Sequence, residues 1–285
     1  NWGTQSYRAC KMAASYRKGS FSVKNIRFIA MLIIGVMLWN PIAVDASSNI
    51  AIDTKKANEG VVRISYTGIN KKTKVMVEKG SAKYYYDLQK EEDFFPLQLG
   101  QGSYTVSVLE NTSGIQYKVM AKKSFKADIT EENLVYLKST QPILWSEDMA
   151  AIKLAGSLTQ DESNDEKIVQ ALYEYMINNI SYDYNKMDKL STNYTPDIDT
   201  ILKDGKGICY DYSVLFGAML RSRGIPAKLI KGYKNDISVY HAWNEVYMNG
   251  SWKIIDTTYD AMKNKTGTSY SMFKAQSDYN KSKEY

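Results

Sequence analysis

Two periodicities, kept in separate stretches of the chain, predict an α+β fold with strands first and a helix-and-sheet unit after them. From Val61 to Phe125 the sequence is β-prone and broken by turn residues. From Ser163 onward apolar residues recur at helical spacing. Further on, Asn249-Gly250 joins two β-prone runs, a strong short-range hairpin signal.

The chain has 285 residues and a formal net charge of +6. Nearly all of that excess sits in residues 1–46, where Arg8, Lys11, Arg17, Lys18, Lys24 and Arg27 face only Asp45. The remainder is close to neutral and holds no basic stripe for phosphate, so nucleic acid is not an expected partner. The basic stretch runs into Phe28–Trp39, an apolar run shorter than the about 20 residues of a spanning helix. Asn40-Pro41 breaks any helix, and Val44-Asp45-Ala46 places small residues at cleavage positions. Residues 1–46 therefore read as an N-terminal extension and secretory signal peptide cut after Ala46, with an uncleaved anchor as the alternative. The expected location is secreted or associated with the cell envelope, touching membrane only through this segment.

Composition narrows the chemistry. Two Cys and one His exclude the common cysteine- and histidine-rich zinc sites, and neither a metal nor a cofactor is expected. Loss of Cys10 with the signal segment leaves Cys209 and His241, and no intramolecular disulfide. At 44% hydrophobic and 24% charged residues the composition is that of a globular protein.

Residues 47–128 are expected to form a small β-sandwich-like domain. Its strands are read as Val61–Tyr66, Lys74–Val77, Lys83–Tyr86, Tyr104–Leu109 and Tyr117–Phe125, separated by Gly- and Asn-rich turns. The run Tyr84-Tyr85-Tyr86 is either a stacking platform for sugar or peptide or ordinary strand packing, for which tyrosine is well suited. Lys126–Trp145 shows no clear period, and 129–145 is read as a linker.

Residues 146–285 form the second unit. Ser163-Asn164-Asp165-Glu166 has the form of a capping box. Behind it Ile168, Ala171, Leu172, Tyr175 and Met176 make one apolar face up to about Asn179. A second helix starts near Cys209, with Val214, Leu215, Ala218 and Met219 as its stripe, and ends before Gly224 and Pro226. Strands are expected at Ala227–Tyr233, Val239–Met248 and Trp252–Thr258.

Cys209 sits at the N-terminal end of that second helix, where the helix dipole favours thiolate over thiol. Taken alone it reads equally as a nucleophile or as a small buried hydrophobe. A two-residue hairpin loop would set Met248 opposite Ser251, and hence His241 opposite Thr258 and Trp243 opposite Asp256. His241 and Asp256 would then be diagonal neighbours on one sheet face. A carboxylate there can hold the imidazole's Nδ1–H and fix its tautomer, as the third member of a triad does. Pattern alone does not bring Cys209 to that face.

Five linked blocks do. Gly207-Ile208-Cys209-Tyr210-Asp211-Tyr212-Ser213, Leu220–Ala227, Gly232-Tyr233, His241-Ala242-Trp243-Asn244-Glu245-Val246 and Trp252–Asp256 together resemble the transglutaminase-like core. Asn179–Asp183 is also similar to the segment that closes the preceding helix there. The resemblance covers about Ser163 to Thr258 and makes 146–285 a transglutaminase-like catalytic domain. It implies a papain-like α+β fold with a Cys helix packed on an antiparallel sheet, Cys209 as nucleophile, His241 as base and Asp256 as orienter.

What the resemblance implies chemically is a Cys acyl-enzyme formed on protein or peptide amides at the cell envelope. Water would complete hydrolysis, the outcome favoured here, and an amine would complete protein-glutamine transamidation. No calcium loop of the acidic, glycine-centred kind supports calcium-triggered crosslinking. The Cys209 N–H is one oxyanion donor, and Tyr182 is the candidate for a second, because Lys203 stands where papain-like enzymes often carry Gln. Asp211 and Asp260 are rival carboxylates. The alternatives to an enzyme are a non-catalytic envelope binding or scaffold protein, and a chain crosslinked through Cys209.

Overall fold

The computed structural model describes residues 49–191 and 193–285, so the apolar run, Cys10 and the expected cleavage after Ala46 lie outside the described residues. Seven strands come first: β1 Ile50–Asp53, β2 Val61–Tyr66, β3 Thr73–Lys79, β4 Ala82–Leu88, β5 Glu92–Pro96, β6 Gly102–Ser113 and β7 Gln116–Ala127. They form two antiparallel sheets, ordered β1-β2-β5 and β4-β3-β6-β7. The period-two pattern of β6 sets the inner face. Val106 and Val108 are buried opposite Val77 and Val75 of β3. There they join Val62, Ile64 and Phe95 of the other sheet in one apolar cluster. β1 and β5 escape the sequence reading because one is very short and the other carries two acidic residues and a proline.

The stretch 129–145 is not a free connection. Ile129, Val135, Tyr136 and Ile143 are buried, and Glu132–Leu137 form a short 3-10 turn. Irregular spacing hides these apolar residues from a search for period.

The second half runs α1 Ala150–Leu158, α2 Asp165–Asn179, β8 Ser181–Tyr182, α3 Ile198–Asp204, β9 Lys206–Gly207, α4 Cys209–Ser222, β10 Ala227–Lys234, β11 Ile237–Met248, β12 Ser251–Ile255, α5 Thr257–Lys265, β13 Phe273–Lys274 and β14 Tyr279–Glu284. Five strands make an antiparallel sheet in the order β13-β12-β11-β10-β14. The fold is therefore α+β, as the sequence predicts. α4 lies close on the sheet: a Cβ at Gly217 would sit 2.8 Å from Ile143 Cδ1 and 3.2 Å from Asn244 Nδ2. Arg221, buried near the end of α4, donates to the carbonyls of Ala227 and Lys138 and so ties the 129–145 stretch to this helix.

Two local expectations shift. The cap of α2 is Asn164 rather than Ser163, its Oδ1 accepting from the Glu166 and Lys167 N–H groups. Asn caps as well as Ser, but Lys167 then stands at the third helical position and cannot reach back as an acceptor, so the cap forms without the expected box. The strand expected through Thr258 ends at Ile255, because Asp256 caps α5 by accepting the Tyr259 N–H at 3.0 Å. The capping preference of Asp there outweighs the β-propensity of Thr257 and Thr258. The hairpin register itself holds: Met248 pairs with Ser251 and Asn244 with Ile255. Asn249 and Gly250 both take positive φ (49° and 75°), as a type I′ turn requires.

Candidate active site

The segment before α4 is shaped by one buried carboxylate. Asp211, in the first turn, accepts the Ile208 N–H at 2.9 Å, the Lys186 ammonium at 2.6 Å and the Tyr194 hydroxyl at 2.5 Å. Gly207 is needed for this approach, since a Cβ would lie 2.6 Å from Asp211 Cβ. β9 pairs in parallel with β8, Tyr182 opposite Gly207. The chain thus enters α4 with Cys209 as its first residue, where backbone N–H groups have no partner within the helix.

His241 arrives on β11, buried. Its Nε2–H donates to Asp256 Oδ2 at 2.7 Å, and Cys209 lies close enough to the imidazole to favour its charged form. Asp256 therefore holds Nε2, which leaves Nδ1 for the cysteine; this reverses the nitrogen expected from the sequence. The reason is the early end of β12. Asp256 is a helix cap reaching back to the ring, not a strand residue beside it. Tyr279 from β14 donates to the same Asp256 Oδ2 at 3.0 Å, and Trp243 packs between, its ring 6.2 Å from the imidazole and 4.9 Å from Tyr279.

Electrostatics follow from this burial. Desolvation alone disfavours an imidazolium, but the Asp256 charge and hydrogen bond, with the Cys209 contact, outweigh it and push His241 up to about 10. Burial likewise opposes the Asp256 charge, yet His241, the Tyr259 N–H and the Tyr279 hydroxyl hold it below the ordinary carboxylate range. Asp260 shows the contrast. It is fully buried on α5, accepts from Tyr173 at 2.9 Å and Lys274 at 2.5 Å, and is pushed up to about 6 by desolvation. Both rival carboxylates are thus engaged elsewhere.

Tyr182 is half-buried against Ile208, the residue before Cys209, its ring 4.9 Å from that of Tyr184. Lys203 is exposed on α3, away from this cluster. In the tyrosine run, Tyr86 is core and Tyr85 is 51% exposed. Tyr279 and Lys231 are the residues of this neighbourhood that the sequence reading misses; Tyr279 sits in no motif, and Lys231 is one of several lysines on β10. Among the described residues, no group of three His, Cys, Asp or Glu side chains is placed to hold a metal ion, and no helix is long and apolar enough to cross a membrane.

A cysteine at a helix N-terminus lies near a buried imidazole that a buried carboxylate holds from behind, an arrangement compatible with thiol chemistry. Residues 152–257 match the family model of the transglutaminase-like superfamily. Members of that superfamily are in general cysteine-dependent enzymes, proteases and transglutaminases. The chain is 28% identical over 117 residues to the kyphoscoliosis peptidases of Mus musculus and Homo sapiens. That match covers 38% of this chain and 18% of each relative, so the chain spans under a fifth of their length. A solved structure similar to it is the periplasmic domain of TgpA from Pseudomonas aeruginosa, at 14% identity, 78% of this chain, 96% of that one and a TM-score of 0.36.

Proposed function

We propose that this protein is an exported thiol acyl-transfer enzyme that acts on protein or peptide amides, with Cys209 as nucleophile, His241 as base and Asp256 as orienter, and with hydrolysis as its outcome. The observation that carries the reading is the single imidazole held by Asp256 through Nε2 with Cys209 beside it at the start of a helix.

The Cys209 proton passes to His241, and Sγ attacks the amide carbonyl carbon. The oxyanion forms at the start of α4, where the Cys209 N–H can receive it, with the Tyr182 hydroxyl as the proposed second donor. The C–N bond breaks as the imidazolium returns its proton to the leaving amine, which leaves a thioester on Cys209. Water then adds, His241 takes its proton, and the acid leaves as the thiol re-forms. An amine in place of water would give transamidation. Residues 146–285 would carry this chemistry.

The burial of Cys209 speaks against its use as a bridge to another chain. Export rests on the sequence of residues 1–46, and N-terminal sequencing of the secreted protein tests it: a first residue other than Ser47 moves the cleavage site. The reaction is tested by mass spectrometry of an envelope protein digest incubated with the enzyme and a labelled primary amine. New termini or Gln→Glu conversion support hydrolysis; amine incorporation replaces it with transamidation. A thiol-reactive probe separates enzyme from scaffold. Slow labelling of Cys209 that is indifferent to His241→Ala would end the enzyme reading.

A further inference from the structure

Between β4 and the start of α4 lies a cavity of about 160 Å³, walled by Tyr85, Tyr86, Gln89, Tyr194, Tyr210 and Lys231. A void of this size holds one compact side chain, since an engineered cavity of about 150 Å³ takes up benzene. It is built by both halves of the molecule: Gln89, just after β4, donates to the Asn193 carbonyl at 2.5 Å across it. It also adjoins the thiol. Tyr210 follows Cys209 in α4, and Lys231 on β10 is near enough to Cys209 to interact with it electrostatically. In the sheet Lys231 pairs with Ala242, one position along from the Gly232–His241 pair, on the face that packs against α4.

Lys231 is the anomaly of this cavity. Its ammonium lies 3.6 Å from the centroid of the Tyr210 ring and 5.5 Å from that of Tyr285. Desolvation brings its pKa down to about 8 against the pull of Cys209. The nearby carboxylates are committed to other cations: Asp87 to Lys74 at 2.6 Å, and Asp211 to Lys186 at 2.6 Å. Among the described residues Lys231 forms no ion pair. A desolvated cation with aromatic faces but no carboxylate partner is costly, and an anion brought by a ligand would complete it. The amide and hydroxyl groups of the opposite wall suit a peptide.

We infer that this cavity is a substrate subsite for a carboxylate, with Lys231 as the cation that receives it. The inference rests on the reading of Cys209 as nucleophile and names the substrate class as peptides that carry an acidic side chain, or a free terminal carboxylate, next to the amide attacked.

Binding measured on full-length Cys209→Ala protein reads the subsite without turnover. Two peptide pairs are titrated: internal Glu against Gln with both termini blocked, and a Gln peptide with a free against an amidated C-terminus. The acid member of at least one pair is expected to bind about tenfold or more tightly, and the pair that shows the gap identifies the source of the carboxylate. Adding Lys231→Met should abolish the gap, Lys231→Arg should restore part of it, and Tyr85→Ala at the exposed wall should weaken acid and amide alike. Equal binding of acid and amide by Cys209→Ala protein, or no binding of either, overturns the subsite. So does a gap that survives Lys231→Met. If Lys231→Met does not fold, the acid–amide comparison with Lys231 intact still decides. Thiol labelling of the wild-type protein reports separately on the nucleophile, so a failed subsite and a failed active site give different results.

Discussion

The two halves of the molecule handle buried polarity in opposite ways. In the front sheets the inner face is almost wholly apolar, and the main buried acid, Glu110, is met by Tyr66, Lys71 and Lys118 at the sheet margin. In the second half, buried polar groups crowd one region: Asp211 and Ser213 on α4, His241, Asn244 and Glu245 on β11, Asp256 and Asp260 at the start of α5. Burying such groups is expensive unless each is paired, and a fold that keeps many of them together is accepting that expense for chemistry. The front half is a packing problem; the back half holds a charge arrangement that packing has to support.

The sharpest way to break this contrast is at the thiol and its base. Cys209→Ala and His241→Ala should each lower turnover by on the order of 10⁴-fold or more, measured by steady-state kinetics. Cys209→Ala should leave the melting temperature nearly unchanged, whereas His241→Ala should lower it, because the buried Asp256 loses its partner. A second imidazole cannot mask the latter, because the chain has one His. Asp256→Asn comes next. Asn can still cap α5, so the helix should survive, while turnover falls on the order of a thousandfold as the charge behind Nε2 is lost. Near-normal activity in that variant would show that Asp256 is only a structural cap.

Ile64→Ala tests the other half. It empties part of the front core and should cost about 2–4 kcal/mol in denaturant unfolding, yet the folded protein should label at Cys209 at the wild-type rate. Slowed labelling would mean that front-core packing reaches the site. The pH profile has a smaller expected effect. His241 is raised from its ordinary value of 6.5 to about 10, so its contribution to stability is whole below about 6.5 and is lost as pH rises through 10. Turnover should follow the same limb and fall about tenfold per unit above pH 10. A fall already complete near pH 7 would contradict the Asp256 pairing. Smallest of all, Asn164→Ala should cost about 1 kcal/mol of stability, read by denaturant melts, and leave turnover unchanged.

Much of this was legible because it is local. Turn chemistry at Asn249-Gly250 set the hairpin register, alternation marked β6, and helical spacing marked α2 and α4. What escaped was short or mixed in signal. α3 has seven residues, α5 begins where β-branched threonines suggest strand, and the buried residues of 129–145 follow no period. At the site the residue types and the hairpin arithmetic singled out Cys209, His241 and Asp256, but the nitrogen facing Asp256 was misread. That error came from one capping bond that ends β12 at Ile255 rather than at Thr258.

By itself the sequence determined the α+β order, the hairpin and the candidate residues, since these depend on neighbours a few positions apart and on the choice of side chain. Tertiary structure alone decided that Asp256 takes Nε2, that Tyr279 supports it from β14, and that Lys231 faces a cavity completed by β4. Each of those joins residues far apart in the chain, and their contact depends on how sheets and helices pack rather than on any pattern along the backbone.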